Sequence, residues 1–545
     1  MISWAASTQF LGGLGLFLLG MWLLTEGLKL AGGNALERIL SSWTITPTRS
    51  FFSGFTLTAV VQSSSAVTVS VIGFINAGLL DLSRALWIVF GSNVGTSMTA
   101  WIVALIGFKF NIEVLALPAV GIGAILHLFA SNIRGRSLGG AMAGLGLLFL
   151  GLQNLQGAFA NIDQVVDLSI LSGGGLLNVL LMVLIGLFLT ATMQSSSAAL
   201  AVVLTAVSAG LLPLSAGAAA VIGANIGTTV TALIAVLKAT ANAKRVAMGH
   251  VLFNVITAIV ALALLSPFLM LINWVQESLN LEPNPAISLA LFHTSFNLLG
   301  VLLMLPLESR LTRWLSGLFT AREKVLSIPH HLDKNILSLP DLALNATLLD
   351  QQRLLSEMAP VLMKSDQEGL SLEEREKAIK ALIASVNEYV VQCSQQPLPE
   401  SIASSFHDVI RANIYLTNSL TALREAAALF QRLPALSEPQ RKAVTALFES
   451  SNQLIEKSTV QQIDPTAAKQ LKTALSDFKK NIRATRQFFV EELRRQQITP
   501  ALLDAYLRQL NALYSMTKEY FKAARLIATL VKRETEQPEP DKQPL

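Results

Sequence analysis

Two stretches of this chain carry uncharged polar side chains in a pattern that could hold an ion. Gln62-Ser63-Ser64-Ser65-Ala66 returns as Gln194-Ser195-Ser196-Ser197-Ala198, a shift of 132 residues (194 − 62). Glutamine supplies a carbonyl acceptor and an amide donor, and serine a hydroxyl that serves as either. A hard monovalent cation could take the oxygens. An oxyanion could take the hydroxyls together with free backbone N–H groups at helix N-termini, where the helix dipole is positive. Neither cluster contains Arg or Lys, so an anion would be held without a guanidinium clamp and released more readily. The likeness runs on at the same shift. Gly78-Leu79-Leu80 maps to Gly210-Leu211-Leu212, Gly91-Ser92-Asn93-Val94-Gly95-Thr96 to Gly223-Ala224-Asn225-Ile226-Gly227-Thr228, and Thr99-Ala100 to Thr231-Ala232. Asn93, Thr96, Asn225 and Thr228 are therefore candidates to complete the shell. Glycines on both sides of each Asn suggest local unwinding that would expose carbonyls.

The surroundings of both clusters are apolar. The chain has 545 residues, 52% hydrophobic and only 14% charged, with a mean hydropathy of +0.52, whereas a soluble chain carries about 25% charged residues. Runs long enough to cross a bilayer lie near 8–31, 84–107, 112–130, 138–158, 214–238, 246–270 and 286–306. The clusters sit in the middle of two further segments, 50–80 and 178–212, each too long for one crossing and polar at its centre. Re-entrant hairpins fit these best, with their irregular backbone buried in protein or lining a wet cavity. If each hairpin returns to its own side, the first unit crosses three times, and the second must start on the opposite side. The prediction is an all-α polytopic membrane protein of two inverted repeats, about 8–130 and 138–270, with an extra span at 286–306. Matching polar clusters in two apolar halves are the sequence mark of a transporter site. A period this long reflects duplication rather than a solenoid.

Loop charges orient that topology. Lys29, Arg38, Arg49, Arg84, Arg134, Arg136, Lys238, Lys244, Arg245, Arg310 and Arg313 fall on one expected side; Lys109, Glu113, Asp163, Asp167, Glu277 and Glu282 fall on the other. Basic loops favour the cytoplasm, which puts the N-terminus outside. Met1–Gln9 lacks a basic n-region and a cleavage site, so the first apolar segment reads as retained. The membrane domain is placed at 1–310 and a linker with basic Arg322 and Lys324 at 311–340. A soluble domain follows at 341–533, with six amphipathic helices near 341–365, 371–395, 400–433, 437–459, 464–495 and 499–533. Leu348, Leu349, Leu354, Leu355 and Met358 show the helical spacing. Ser371 with Glu374 forms a capping-box pattern, and Pro500 suits a first turn. A disordered tail is expected at 534–545. This domain reads as cytoplasmic.

Several classes are excluded or demoted. There is no Walker A loop, HExxH, GxSxG elbow or dinucleotide fingerprint, so an enzyme is not expected, nor an organic cofactor. One cysteine, Cys393, excludes disulfides and Cys-based transition-metal sites. The pI near 9.2 comes without a polybasic run or aromatic RNA-binding signature, so nucleic acid is not a partner. Serine, glycine and threonine in membrane helices often serve only close packing; the repetition of Gln, three serines and Asn-x-Gly-Thr at one offset argues for more. His127, His250 and His293 lie in or near spans, the last two followed by Asn254 and Asn297 at i+4, and are expected neutral and bonded to a neighbour on their own helix. Glu26 is read as interfacial. Gly173-Gly174-Gly175 reads as an external turn.

The paired Gln-Ser-Ser-Ser-Ala clusters, each followed by Gly-(Ser/Ala)-Asn-(Val/Ile)-Gly-Thr, closely resemble the type II sodium–phosphate cotransporter family over residues 8–306. The resemblance implies inorganic phosphate as substrate, sodium as coupling ion and a bacterial inner-membrane location. Carried across, it places Gln62, Ser63, Ser64, Ser65, Gln194, Ser195, Ser196 and Ser197 at the hairpin tips. Asn93, Thr96, Asn225 and Thr228 would then lie around the ions. Electrogenic members carry an aspartate shortly after the first cluster; Asn76-Ala77-Gly78 has none, which favours electroneutral coupling. The soluble part resembles a PhoU-like domain of two three-helix bundles, through His331-Leu332-Asp333 and Leu339–Leu344. Its ExxxD metal motifs are incomplete at Leu423–Ala428 and Ala523–Ala528, which leaves regulation, by a partner protein or self-association, as its expected role. A phosphate sensor and a sodium-independent anion channel are the rival readings.

Overall fold

In the computed structural model, residues 4–32, 39–40, 43–109, 112–159, 175–237, 239–278, 284–320, 325–337, 339–363, 372–396, 398–432, 435–459 and 465–536 are described. Arg38, Asp163, Asp167, Gly173, Gly174, Lys238, Glu282, Arg322, Lys324, Ser371 and the tail from 537 lie outside them, as do the side chains of Lys109 and Glu113. Every described element is helical, with nineteen α-helices among the described residues, in two compact units, one of Met1–Ile75 with Leu79–Phe319 and one of Thr320–Leu545 with Asn76–Gly78.

The first unit opens with α1 (Trp4–Gly32), α2 (Pro47–Val61), α3 (Ser64–Asn76), α4 (Leu82–Lys109), α5 (Ile112–Phe129) and α6 (Ile133–Phe159). It continues with α7 (Leu176–Met193), α8 (Ser196–Ser208), α9 (Leu214–Ala235), α10 (Ala241–Ala263), α11 (Leu265–Ser278), α12 (Pro285–Met304) and α13 (Glu308–Ser316). Seven of these helices are long and apolar enough to cross a membrane. Many large apolar side chains on them are exposed, such as Leu19, Leu138, Phe188, Ile259 and Leu302, as a lipid-facing surface requires.

Two sets of glycine contacts reveal the topology. A Cβ built on Gly13 meets Gly151 and Leu155, one on Gly20 meets Gly144 and Leu148, and one on Gly27 meets Ala141. The partner number falls as the helix advances, so α1 and α6 are antiparallel. They are also each other's counterparts: a shift of 131 residues (144 − 13) turns Gly13 against Gly151 into Gly144 against Gly20. The repeats are thus inverted. In α2 and α4 the contacts advance together, from Phe51 with Gly91 through Phe55 with Gly95 to Gln62 with Thr99. These helices are parallel, and α3 must return to the side where α2 began. At 13 residues α3 rises only about 20 Å, short of the roughly 30 Å hydrocarbon core. It forms a re-entrant hairpin with α2, and α7 and α8 repeat the arrangement against α9.

Two expectations are corrected. Helices α4 and α9 run unbroken through Asn93 and Asn225, so the flanking glycines do not unwind the backbone. They let the hairpin approach: a Cβ on Gly91 would lie 1.9 Å from the Phe51 carbonyl oxygen, and one on Gly223 would lie 1.9 Å from that of Val183. The span expected at 246–270 is two helices, α10 and α11, parted at Leu264. Hydropathy sees one apolar run there, but the Pro267 ring opposes the carbonyl four residues back and cannot continue a helix from α10.

The second unit has a 3₁₀ turn at Lys334–Ile336 and six helices, α14 (Pro340–Met363), α15 (Leu372–Ser394), α16 (Glu400–Gln431), α17 (Glu438–Thr459), α18 (Pro465–Arg494) and α19 (Pro500–Glu536). Helices α14, α15 and α16 pack mutually, as do α17, α18 and α19, and the long α16 and α19 join the two triplets around one apolar core. The segment entering this unit is fastened down rather than loose. Asp350 accepts from the backbone N–H of His330 (3.1 Å), His331 (3.0 Å) and Leu332 (3.3 Å) and from the His331 ring (3.2 Å). Arg353 donates to the Ile328 carbonyl at 2.8 Å. Tyr389 donates to that of Asp333 at 3.0 Å.

Gly91→Ala and Gly223→Ala should each lower the melting temperature in detergent by a clear margin, through an overpacking cost of at least about 1–3 kcal/mol. Gly12→Ala, with open space around its Cβ, should not; equal melting of all three would refute the close-approach assignment. Burial opposes ionisation of Asp350, but the His331 hydrogen bond and charge and the backbone donors of His330 and His331 outweigh it, holding its carboxyl below the ordinary range. A depressed folded pKa gives stability that is complete above the unfolded value near ~4 and lost as pH falls through the folded one. Amide exchange at residues 330–332 should therefore accelerate in Asp350→Asn at neutral pH. In the wild type it should accelerate only on acidification below about 4.

Candidate functional site

Each hairpin breaks at glutamine. Gln62 has φ 58° and ψ 30°, and Gln194 has φ 51° and ψ 24°. The left-handed region costs a non-glycine residue roughly 1–2 kcal/mol, so a side chain is kept at both breaks against local preference. Serine restarts each helix. Ser63 Oγ accepts from Ala66 N at 3.2 Å and Ser195 Oγ from Ala198 N at 3.2 Å, and α3 and α8 begin at Ser64 and Ser196.

The two tips meet at one cavity of about 110 Å³, lined by Gln62, Ser63, Ser64, Ser65, Gln194, Ser195, Ser196, Ser197 and Thr228, together with Met21, Thr25, Thr190 and Thr231. Its wall carries hydroxyls, amides and the N-terminal turns of two helices, and no charged side chain. Nine of the twelve residues singled out in the sequence thus come together. Asn93, Thr96 and Asn225 are not in this wall. Asn93 Oδ1 faces His250 Nε2 at 3.2 Å and Asn225 Oδ1 faces His293 Nε2 at 3.1 Å, while Thr96 bonds back to the Ser92 carbonyl at 3.0 Å. Asn225 also donates to Asn297 Oδ1 at 2.8 Å, and Asn297 to Ser97 Oγ at 3.3 Å. The two histidines therefore bond across helices rather than along their own. Their i+4 asparagines do bond back, to the His250 carbonyl at 3.0 Å and the His293 carbonyl at 2.9 Å.

The site also contains residues that the sequence reading did not select. Thr25 comes from α1, and only the glycine seam with α6 brings it here; no local signal marks it. Thr99, Thr190 and Thr231 did carry a signal, since each lies in the duplicated stretch. Thr99 Oγ1 donates to Gln62 Oε1 at 2.8 Å and lies 3.3 Å from Ser197 Oγ, tying the first tip to the second hairpin. Thr58 and Thr190 are counterparts that differ. Thr58 Oγ1 bonds Ser92 Oγ at 2.7 Å. In the second repeat Ala224 replaces that serine, and the Thr190 hydroxyl, fully buried at the cavity wall, has no partner.

Inverted repeats, paired re-entrant hairpins and a shared polar cavity among membrane-spanning helices define a secondary-transporter architecture. The family model described as Na+/Pi-cotransporter matches residues 16–157 and 174–281. The chain is 32% identical over 309 residues to the uncharacterized protein YqeW of Bacillus subtilis, covering 56% of this chain and 96% of that one. It is 27% identical over 507 residues to YjbB of Escherichia coli K12, which is named for inorganic phosphate export, covering 90% and 91%. Over 97 residues it is 39% identical to the rat sodium-dependent phosphate transport protein 2A, covering 17% and 15%. The chain belongs to the Na+/Pi-cotransporter family, a family of transporters and not of enzymes. No solved structure matches it.

The two threonines make a paired test. Thr58→Val should lower thermal stability by about 1 kcal/mol through loss of the bond to Ser92, with little change in the KM for transported ligand. Thr190→Val removes no bond within the protein; it should leave stability unchanged and raise KM severalfold. Equal effects on both quantities would show that the Thr190 hydroxyl does not face a ligand.

Proposed function

We propose that the protein moves inorganic phosphate across a bacterial inner membrane, coupled to sodium, by alternating exposure of the cavity between the two hairpin tips. The observation that carries this reading is the composition of the cavity wall: many hydroxyls and amides, two helix N-termini, and no cation. Hydroxyl donors and helix N-termini suit phosphate oxygens. They do not neutralise a dianion, and a fixed charge pair 4 Å apart is worth about 4 kcal/mol at an effective dielectric near 20. Sodium ions held by the serine, threonine and glutamine oxygens would supply that charge. Phosphate then binds well only with sodium present, which is coupling. The clusters' eight residues and Thr228 form this shell. Asn93 and Asn225 support it from behind, holding α4 and α9 in place through His250, His293 and Asn297, while Thr96 bonds within α4.

The name of the Escherichia coli relative bears on direction. A coupled carrier runs whichever way the combined gradients drive it, so export by a relative is compatible with the same site. The basic loops favour a cytoplasmic face for residues 320–545, which resemble a PhoU-like regulator. A domain that binds and regulates, rather than transports, should be dispensable for flux but alter its control.

Purified protein in liposomes should accumulate labelled phosphate under an inward sodium gradient and not under potassium. Gln62→Ala and Gln194→Ala should each reduce that flux by about tenfold or more, since each leaves part of the polar shell unsatisfied. Flux indifferent to sodium would establish a channel instead, and binding without flux a sensor.

A further inference from the structure

The two repeats are nearly identical at the tips, yet the bonds around them are not. In the first, Gln62 is buried and accepts from Thr99, which also reaches Ser197 at the start of α8. The shift of 132 residues converts this trio into Thr231, Gln194 and Ser65 (231 − 99, 194 − 62 and 197 − 65). There the bonds are absent. Thr231 Oγ1 turns back to the Thr228 carbonyl at 2.7 Å, Gln194 is exposed, and Ser65 is exposed whereas Ser197 is buried. All six side chains except Thr99 line the cavity. The same chemistry is present twice and satisfied once.

We infer that Thr99 and Thr231 are a pair of alternating latches, each positioning the glutamine of its own tip against the opposite hairpin in one of the two states of the carrier. This rests on the transport reading above. In the state described here the Thr99 latch is made and the first tip is closed. In the opposite state Thr231 donates to Gln194 and reaches Ser65, while Thr99 releases Gln62. Inverted repeats make the two closures equivalent in geometry, because an axis in the membrane plane exchanges the faces as it exchanges the trios. A latch worth one net hydrogen bond is suited to the task, since it biases the equilibrium without trapping it. Neither threonine needs to touch the transported ion.

The equilibrium can be read without measuring transport. Cys393 is the sole cysteine of the chain, is fully buried, and burial pushes its thiol up to about 12, so an introduced cysteine would react alone. Full-length protein carrying Ser65→Cys should label fast and Ser197→Cys slowly. Adding Thr99→Val should slow the first and speed the second by roughly fivefold, the factor expected for one lost net hydrogen bond. Adding Thr231→Val should move both rates the other way, and Thr99→Ser, which keeps the hydroxyl, should restore the starting rates. Changes of the same sign in both valine variants, or no change in either, would overturn the latch. If the wild type moves no phosphate in liposomes while the labelling shifts remain opposite, the transport reading fails and the latch stands.

Discussion

A helix broken inside a bilayer leaves backbone donors and acceptors that lipid cannot satisfy, and the breaks at Gln62 and Gln194 set the terms for the rest of the membrane unit. Each break needs a cap for the helix that follows, which Ser63 and Ser195 provide from their side chains. Each also needs a protein wall close enough to keep lipid out. That closeness explains the glycines: Gly54, Gly91 and Gly95 in one repeat and Gly186, Gly223 and Gly227 in the other all stand where a Cβ would strike the neighbouring helix. Chemistry at the tips and packing along the helices are therefore one requirement. The hairpins can present polar tips at mid-depth only because their shafts lie almost backbone to backbone against α4 and α9.

This is why part of the molecule was legible in the amino-acid order and part was not. Duplication exposed the tips, and parity of the apolar runs gave an inversion that the antiparallel α1 and α6 display. The flanking glycines were seen but misread, since small residues serve both flexible backbone and close approach, and only a neighbour distinguishes the two. Gly91 has Phe51 against it; nothing in the local sequence says so. The division at Leu264 was hidden by uniform hydropathy, although Pro267 was a visible sign. Thr25 was beyond reach, because its place at the cavity depends on a helix seam between α1 and α6, which lie far apart in sequence, as in Gly27 against Ala141. In the second unit the three-to-four apolar spacing gave six helices, whereas the clamp of Asp350 on residues 330–332 is a meeting of a loop with a helix that periodicity does not register.

The histidine–asparagine pairs show how the site is held without charge. Asn93 and Asn225 sit on opposite repeats, and each is met by a histidine from a helix outside the duplicated stretch, His250 of α10 or His293 of α12. Each of those histidines is followed four residues later by an asparagine that bonds to its carbonyl. The Nε2 contacts of His250 and His293 to the asparagine oxygens fix the orientation of both buried rings. Such a brace ties α4 to α10 and α9 to α12 behind the cavity without drawing on the side chains of the tips.

Symmetry and its violations divide the labour between the repeats. Where the copies agree, as at the glutamines, serines and glycines, both hairpins have the side chains for the same geometry. Where they differ in sequence, the two states need not be equal in energy. Ser92 staples the first hairpin to α4 through Thr58, and Ala224 gives the second hairpin no such staple. The first shaft is thus held more firmly than the second by about one buried hydrogen bond, of order 1 kcal/mol. A difference of that size would favour one of two states severalfold without preventing the other, as the alternating exposure proposed above requires.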